Sequence, residues 1–591
     1  MNQDKTVKPH AKRKHSSIWR LLPYIKPHLS LLLASIVLVI FVNAAELLQP
    51  YILQIIIDDH LRLGAMTETL TPIIWLGLAY LGCVATSSLL QVGQALLMAK
   101  LGQNTLMQIR REVFRHILHM PMKILDRYSS GRLITRATND VETLNELFAE
   151  VMVNLIRDVL LLIGIAVMML IIDWQLALVA FVTTPLIALV TILIRTKLRK
   201  NFVVLKQLIG MINGFVAENI AGMRLVQIFC REKAKMKEFD QLNDDYCKRT
   251  LIQIKLNSVM RPMMEVINNL GIVLLIWFGL RGLTEGTLQI GVLYAFTSYI
   301  RRFFEPINDL AEKYSSIQSA AVSADRIYEL LDQNEELEDL EDGKPLPALN
   351  GHVEFKNVWF AYEEGEWVLR DVSFVLEPGQ SAAIVGATGA GKSTIISLML
   401  RFYDIQKGSI LLDGMDIREH KLSDLRRQIA IVLQDVFLFS GSIAENIRLG
   451  DDQIDDDQIA EALKMSYADA FIRRLSKRMS TRVTERGSTF SAGQRQLLSF
   501  ARAIARKPSI FILDEATANI DTETEQLIQQ SIEQVTSQCT TIIIAHRLST
   551  IRHCDQILVM HDGKLSEIGS HEQLLARHGR YAELYKAQFS D

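Results

Sequence analysis

A glycine-rich segment ending in a lysine and a serine follows a short apolar run in the second half of the chain. The letters GATGAGKS come directly after SAAIV and before a helical pattern. This G-x-x-x-x-G-K-[ST] spacing between a strand and a helix predicts a P-loop, in which backbone N–H groups converge on phosphates. Lys392 is expected to reach the β- and γ-phosphates, and the Ser393 hydroxyl to bind Mg²⁺. The predicted nucleotide-binding residues of this segment are Gly386, Ala387, Thr388, Gly389, Ala390, Gly391, Lys392, Ser393 and Thr394.

Two carboxylates follow a later apolar strand, IFIL, as Asp514 and Glu515. A carboxylate at a strand end can hold a metal ion, and its neighbour can polarise a water that attacks the terminal phosphate. On its own such a pair is common and often structural. Beside a P-loop, we expect Asp514 to bind Mg²⁺ and Glu515 to be catalytic.

The first half of the chain is much more apolar than the second. The 591 residues are 49% hydrophobic and 22% charged, which predicts a very apolar part joined to an ordinary soluble part. The net charge of −2 gives no indication of a nucleic-acid partner. Long apolar runs predict about six helices that cross a lipid bilayer and continue into the cytoplasm, within a helical domain at 1–331. These runs are 31–42, 73–98, 159–172, 176–194, 270–280 and 290–300.

The distribution of lysine and arginine predicts the orientation. Two long segments, 100–132 and 195–224, are rich in both residue types and are expected in the cytoplasm. Both termini and the second half of the chain would then be cytoplasmic as well.

Four charged residues fall in or beside the predicted spans, where a charge normally faces a protein interior or a watery cavity. For Glu46 and Glu265 a role in a substrate cavity and a structural role both stay open. Arg157 and Asp158 are expected to pair with each other or to lie at a cytoplasmic end.

The pattern changes at an acidic, proline-containing stretch, which predicts a linker at 332–350. Beyond it, short apolar runs alternate with helical stretches. Runs of this kind predict an α/β domain with a mostly parallel sheet at 351–591. The expected fold class is therefore multidomain, with an all-α six-helix transmembrane domain followed by an α/β P-loop domain.

The letters FSAGQ, 490–494, lie between the P-loop and the carboxylate pair and resemble the signature motif of ATP-binding cassette proteins. Further motifs of that family follow in the same order: Tyr362, Gln434 in VLQD, TERG at 484–487, ATANID at 516–521 and His546 in AHR. The resemblance implies that Tyr362 stacks on adenine, that Gln434 is the Q-loop glutamine and a Mg²⁺ ligand, and that His546 is the switch histidine. It implies a catalytic set of Glu515, His546, Gln434 and Lys392. It places Ser491, Ala492, Gly493, Gln494 and Asp521 against ATP bound to a second chain.

Over the whole chain the pattern resembles a bacterial multidrug-resistance-like half-transporter of the exporter type. This resemblance implies ATP and Mg²⁺ as cofactors, a second half-transporter as partner and an amphipathic substrate. Its location would be the bacterial cytoplasmic membrane. Segments 120–130 and 218–228 would be the coupling helices that connect nucleotide binding to the membrane domain. An ATP-gated membrane regulator is the alternative, and the retained Glu515 argues against it.

Two motifs depart from the family's usual text. The signature has Phe490 and Ala492 where LSGGQ is usual, and the D-loop reads TANID where SALD is usual. A subunit that keeps Glu515 but has an altered signature matches one half of a heteromeric exporter. We therefore expect a heterodimer whose other chain has a degenerate catalytic carboxylate, and a homodimer with a tolerated alanine is the alternative.

Overall fold

A computed structural model describes residues 17–61, 71–285, 287–333, 347–484, 487–514, 522–544 and 548–589. The chain divides into two compact units. The first comprises Met1–Leu118 and Ser130–Gln333, and the second comprises His119–Ser129 and Asn334–Asp591. The short segment His119–Ser129, which contains most of the first predicted coupling helix, thus belongs to the second unit.

Long helices dominate the chain between Leu22 and Leu331. Five of the six apolar runs found in the sequence lie inside single helices, and the run 176–194 extends from Trp174–Phe181 into Thr183–Ala221. Short helices lie at both predicted coupling segments. Within the described ranges, three π-helical stretches, Ile56–Leu61, Arg136–Asp140 and Leu147–Val151, continue neighbouring helices. The helices are α1 (Leu22–Ile25), α2 (Leu29–Ile55), α3 (Thr71–His119), α4 (Met122–Leu125), α5 (Ser130–Thr135), α6 (Val141–Glu146), α7 (Met152–Ile172), α8 (Trp174–Phe181), α9 (Thr183–Ala221), α10 (Met223–Ile228), α11 (Glu232–Thr284) and α12 (Ile290–Leu331).

Five helical stretches within the described residues are long and apolar enough to cross a membrane: Ile18–Asp59, Thr71–His119, Ser130–Ile172, Trp174–Ala221 and Glu232–Thr284. They contain the first five predicted spans. The sixth predicted span lies in α12, a 42-residue helix of the same unit that does not meet that standard of length and composition. Its assignment as a membrane span stays a prediction.

Close packing holds the bundle together. Phe296 and Tyr299 of α12 are fully buried beside Leu275 of α11 and Ile165 of α7. Small residues allow the helices to approach, because a Cβ on Gly279 would overlap the Leu293 side chain. Such contacts compensate for the weak hydrophobic driving force between helices in lipid.

The second unit is built on two main sheets. Its described strands are β1 (Val353–Ala361), β2 (Trp367–Leu376), β3 (Ser381–Gly386), β4 (Lys407–Leu412), β5 (Met415–Asp416), β6 (Ile429–Val432), β7 (Gly441–Ser442), β8 (Arg482–Val483), β9 (Ile510–Asp514), β10 (Thr540–Ile544), β11 (Gln556–His561) and β12 (Lys564–Gly569). A four-stranded antiparallel sheet has the order β2-β1-β4-β5, and a six-stranded sheet has the order β12-β11-β3-β10-β9-β6. Among these strands of the larger sheet, only β12 is antiparallel to its neighbour.

Strands β3, β9, β10 and β11 of the larger sheet are buried on both faces, which explains their apolar runs, whereas the edge strand β12 is partly exposed. Along β3, Ala382 and Ile384 pack into one core, while Ala383 and Val385 pack into the other. Helices cover the sheet, and the predicted parallel α/β arrangement is confirmed. The helices of this unit beyond the linker are α13 (Lys392–Met399), α14 (Leu422–Gln428), α15 (Ile443–Arg448), α16 (Asp456–Met465), α17 (Asp469–Ile472), α18 (Ala492–Ile504), α19 (Thr522–Thr536), α20 (Leu548–Arg552), α21 (His571–Ala576) and α22 (Arg580–Phe589).

Candidate nucleotide-binding site

The glycine-rich loop joins the end of β3 to the start of α13. Gly386, Gly389 and Gly391 have φ values of +153°, +84° and +99°, which residues with a side chain rarely adopt. A Cβ on Gly386 would overlap the Met560 carbonyl oxygen of β11, and one on Gly391 would lie 2.6 Å from the Leu369 side chain. The loop backbone is therefore fixed against two strands, and α13 begins immediately after it.

Lys392 is the first residue of α13 and is 7% exposed. Its Nζ donates hydrogen bonds to the carbonyl oxygens of Gly386, at 2.7 Å, and Ala387, at 3.1 Å. Burial lowers the pKa of the Lys392 ammonium, and the negative charge of Asp514 opposes that shift. The ammonium is thus held inside the loop at the predicted phosphate position.

The parallel sheet brings several predicted residues to one edge. The P-loop follows the carboxyl end of β3, and Gln434 comes shortly after the carboxyl end of β6. Asp514 is the last residue of β9. Asp514 is half-buried and pairs in register with Ile544 of β10. Ser393 is exposed in the first turn of α13. In open α/β sheets, ligands bind at this carboxyl edge.

Tyr362, predicted to stack on adenine, lies just beyond β1 and is 43% exposed. Its ring meets those of Phe360 and Tyr403 edge-on, at centroid distances of 4.9 Å and 5.1 Å. The Tyr362 hydroxyl also lies 3.1 Å from the hydroxyl of Thr394 in α13. Thr394 is buried and bonds to this tyrosine, so its side chain supports Tyr362, whereas Ser393 beside it is exposed.

The signature segment forms the beginning of α18. Ser491 caps this helix, because its Oγ accepts a hydrogen bond from the Gln494 backbone N–H at 3.2 Å. The Gln494 side chain accepts in return from the Ser491 backbone N–H at 3.0 Å. This capping box fixes the start of a 13-residue helix, whose positive end can attract an anion.

The two unusual signature residues have different surroundings. Phe490 is 7% exposed and packs into the core beside Phe471, so it replaces one apolar core residue by another. Ala492 is the first residue of α18 and is half-buried. Since the backbone there is helical, an alanine adopts it without strain. Restriction of φ by the Ala492 Cβ therefore gives no reason to expect a weakened site.

Some predicted site features lie outside the described residues. They are Glu485 and Arg486 of TERG, Glu515 with the segment through Asp521, and His546. Their roles stay predictions. Gly493 is buried in the first turn of α18, and Gln494 is half-buried.

Sequence reasoning missed Tyr403, which no motif singled out. Its hydroxyl donates a hydrogen bond to the Asp126 carboxylate, in the segment that follows α4. Burial and this bond raise the pKa of the Tyr403 phenol above its usual value, so the phenol stays protonated and donates. Asp126, Tyr403 and Tyr362 therefore form a continuous line from the predicted coupling segment to the predicted adenine site, and only their positions in space reveal it.

A P-loop beside a sheet-edge carboxylate, in a chain that also carries helices of membrane-crossing length, defines a membrane-bound nucleotide-hydrolysing protein. Residues 32–307 match the family model of the ABC transporter transmembrane region, and residues 369–518 match the ABC transporter family model. The chain belongs to the ABC transporter family. It is a multi-pass membrane protein whose ATPase domain is coupled to transport.

Similar proteins share most of the chain. A probable multidrug resistance ABC transporter ATP-binding/permease protein, YheH of Bacillus subtilis, is 40% identical over 86% of this chain and 76% of its own. A fatty acid ABC transporter ATP-binding/permease protein of Mycobacterium bovis is 38% identical over 84% of this chain and 78% of its own. Among solved structures, a bacterial Atm1-family ABC exporter with ATP bound superimposes with a TM-score of 0.77. It is 28% identical and covers 95% of this chain and 98% of its own.

Replacing Gly386 by alanine should displace the loop, because the added Cβ would meet the Met560 carbonyl and the residue has a positive φ. We expect ATP affinity to fall at least about tenfold, measured by equilibrium binding to the full-length protein. Gly365→Ala is the matched control: Gly365 also has a positive φ, but its Cβ would meet no atom within 4 Å. Equal ATP affinity in both variants would contradict the assignment.

Replacing Tyr403 by phenylalanine should remove the bond to Asp126 and keep the ring beside Tyr362. We expect ATP affinity to stay within about twofold, while ATP consumed per molecule transported rises. Asp126→Ala should reproduce this effect, and Tyr467→Phe is a control in the same unit. If Tyr403→Phe weakened ATP binding and left the transport stoichiometry unchanged, the contacts of Tyr403 would stabilise the adenine site and have no role in coupling.

Proposed function

We propose that this chain is one half of an ATP-driven exporter of amphipathic or hydrophobic small molecules, of multidrug or lipid type. The family match gives an ABC exporter architecture, and the named relatives include proteins described as handling multiple drugs and fatty acids. The observation that carries the proposal is that the chain has both a fixed P-loop and, apart from it, a capped signature helix. Each would supply one half of a nucleotide site.

The need for a second chain follows from that separation. Among the described residues, no hydrogen bond or ion pair joins the loop after β3 to Ser491 or Gln494. ABC exporters act as dimers, so the signature helix of one chain can face the P-loop of the other. Ser491 and the positive end of α18 would then face the γ-phosphate held by the partner.

The roles of the remaining residues follow from their positions. Lys392 would neutralise the β- and γ-phosphates, and Tyr362 would offer a ring face to adenine. The Ser393 hydroxyl, the Gln434 amide and the Asp514 carboxylate supply only oxygen ligands at one sheet edge, which fits Mg²⁺. Mg²⁺ would neutralise charge that develops on the phosphates. Glu515 would polarise the attacking water, with His546 nearby.

A heterodimer is the proposed assembly, with a homodimer as the alternative. Support comes from the combination of Glu515 with the signature FSAGQ, as expected for the subunit whose partner has a degenerate carboxylate. Because the helical backbone accepts Ala492 without strain, any effect of this residue must come from its methyl group against the partner's nucleotide.

The proposed location is the bacterial cytoplasmic membrane, with the ATPase domain and both termini in the cytoplasm. The long helices α3, α9 and α11 extend well beyond the roughly 20 residues that a membrane span needs, at 49, 39 and 53 residues. Their extensions carry the lysine and arginine that favour the cytoplasmic side.

Replacing Glu515 by glutamine should stop transport and leave ATP binding intact, because the amide cannot polarise water as a carboxylate does. We expect turnover to fall about 100-fold or more in the assembled transporter, with transport measured in proteoliposomes. Glu523→Gln changes an exposed carboxylate of α19 and should have no effect. Export that survives Glu515→Gln would favour an ATP-gated regulator, since gating requires binding and little hydrolysis.

Purification should separate the two assemblies. We expect the chain alone to show little substrate-stimulated ATPase, and co-purification with its partner half-transporter to restore it. Full stimulated ATPase from this chain alone would establish the homodimer.

Ala492→Gly should change the helix stability by at most about 1 kcal/mol and leave the fold intact.

A further inference from the structure

Three charged side chains, those of Glu46, Arg157 and Arg302, meet at one depth inside the helical bundle. At about 1.5 Å per residue, each lies about 18 to 23 Å from an end of its own helical stretch. For Glu46 the distance is measured to the end of the π-helical stretch that continues α2. For Arg157 it is measured to the end of α7, and for Arg302 to the start of α12. The ends of α2 and α12 meet, because the Gly291 N–H donates to the Asp58 carboxylate at 2.6 Å. A hydrocarbon core about 30 Å thick that began at these ends would contain all three charges.

Most of these charges are neutralised by a neighbour. Arg157 Nη2 lies 2.9 Å from Glu46 Oε1, which also accepts a hydrogen bond from the Gln91 amide at 2.6 Å. Asp158 forms its ion pair with Lys313 of α12. Of the two alternatives expected for Arg157 and Asp158, pairing with each other is thus wrong, because each pairs with a different helix, and a position at a cytoplasmic end stays a prediction. Glu265 is exposed on α11 and does not line this cluster.

Arg302 is different, because its partners are neutral. One Nη donates to the Glu46 backbone carbonyl at 2.6 Å and the other to the Gln49 side-chain oxygen at 2.7 Å. In the described part of the chain, no carboxylate lies within ion-pair distance of this guanidinium. A guanidinium has five N–H donors, so donors remain after these two contacts.

Arg302 lines a cavity of about 390 Å³ between α2, α3, α7 and α12. The wall combines the charged cluster with apolar side chains, and this volume lies in the range of small-molecule sites. An uncompensated cation inside a membrane bundle strongly favours an anion beside it. The planar fork of a guanidinium matches a carboxylate or phosphate, and Val84, Leu161 and Pro306 offer contact to an apolar chain.

We propose that this cavity, which we call the Arg302 cavity, binds the anionic head of an amphipathic substrate: a carboxylate or phosphate joined to an apolar chain. This inference rests on the proposed export function and names its substrate class. A lipophilic cation fits less well, since Glu46 is already neutralised by Arg157. The wall has two further carboxylates: Asp158 is paired with Lys313, and Asp309 is exposed and lies 4.0 Å from Lys313.

The test is equilibrium binding of radiolabelled dodecanoate and dodecyl phosphate, without ATP, to the full-length transporter in lipid nanodiscs. Binding to protein-free nanodiscs is subtracted. We expect Arg302→Gln to weaken binding of the better probe about tenfold to a hundredfold, since charge-assisted hydrogen bonds are lost. Arg302→Lys should fall between, because lysine keeps the charge without the fork. Arg301→Gln, the exposed neighbour on the same helix, is the matched control.

Arg302 also joins α12 to α2, so thermal unfolding of each variant without ligand identifies a purely structural loss. If Arg302→Gln does not fold, competition on the wild-type protein decides the question. Dodecanoic acid should displace the probe, whereas its methyl ester and dodecyltrimethylammonium should not. Unchanged affinity in a folded Arg302→Gln variant, or displacement by the ester or the cation as strong as by the acid, would overturn the proposal.

The outcomes also separate this site from the proposed function. Arg302-dependent binding without ATP-driven transport would keep the cavity and remove export. Transport of neutral or cationic compounds by a protein that binds neither anionic probe would keep export and remove the cavity.

Discussion

The loop after β3 leaves no room for a side chain at Gly386, and the arrangement of the second unit depends on this close approach. The loop backbone passes against the Met560 carbonyl of β11 on one side and Leu369 of β2 on the other. Sheet order, strand register and loop conformation are therefore linked. The same packing holds Lys392 at the start of α13 and places it near the charge of Asp514 at the edge of the sheet. A phosphate-binding loop of this kind is rigid because its neighbours are backbone and core.

Charged side chains have different surroundings in the two units. At the sheet edge, the Lys392 ammonium feels the negative charge of Asp514, and a highly charged ligand can bind beside both. In the bundle, ion pairs such as Arg157 with Glu46 cancel charge inside an apolar environment. Arg302 is the exception among the charges of its cavity, because its partners are a carbonyl and an amide. The ligand chemistry proposed for each unit follows from which charge remains uncompensated.

Much of this architecture could be predicted from sequence because it depends on patterns of neighbouring residues. The apolar runs of β3, β6, β9 and the second part of β10 require burial on both faces, and the glycine spacing requires a loop of one conformation. The long helices follow from apolar runs too long for a soluble core. The partners of individual charges could not be predicted, since Arg157 and Asp158 are adjacent in sequence and point to different helices. Tyr403 was missed for the same reason: its bond to Asp126 spans 277 residues.

The cap of α18 has a consequence for which molecules the signature helix can accept. Ser491 Oγ already uses one lone pair to accept from the Gln494 backbone N–H. The Ser491 hydroxyl proton takes no part in this bond, and the backbone N–H groups of Ala492 and Gly493, in the first helical turn, have no partner within the helix. The tip of the helix thus offers several hydrogen-bond donors. A phosphoryl oxygen can bind there, whereas an ammonium group on an approaching molecule would be repelled. The cap therefore favours anionic hydrogen-bond acceptors over cations, in addition to stabilising the helix.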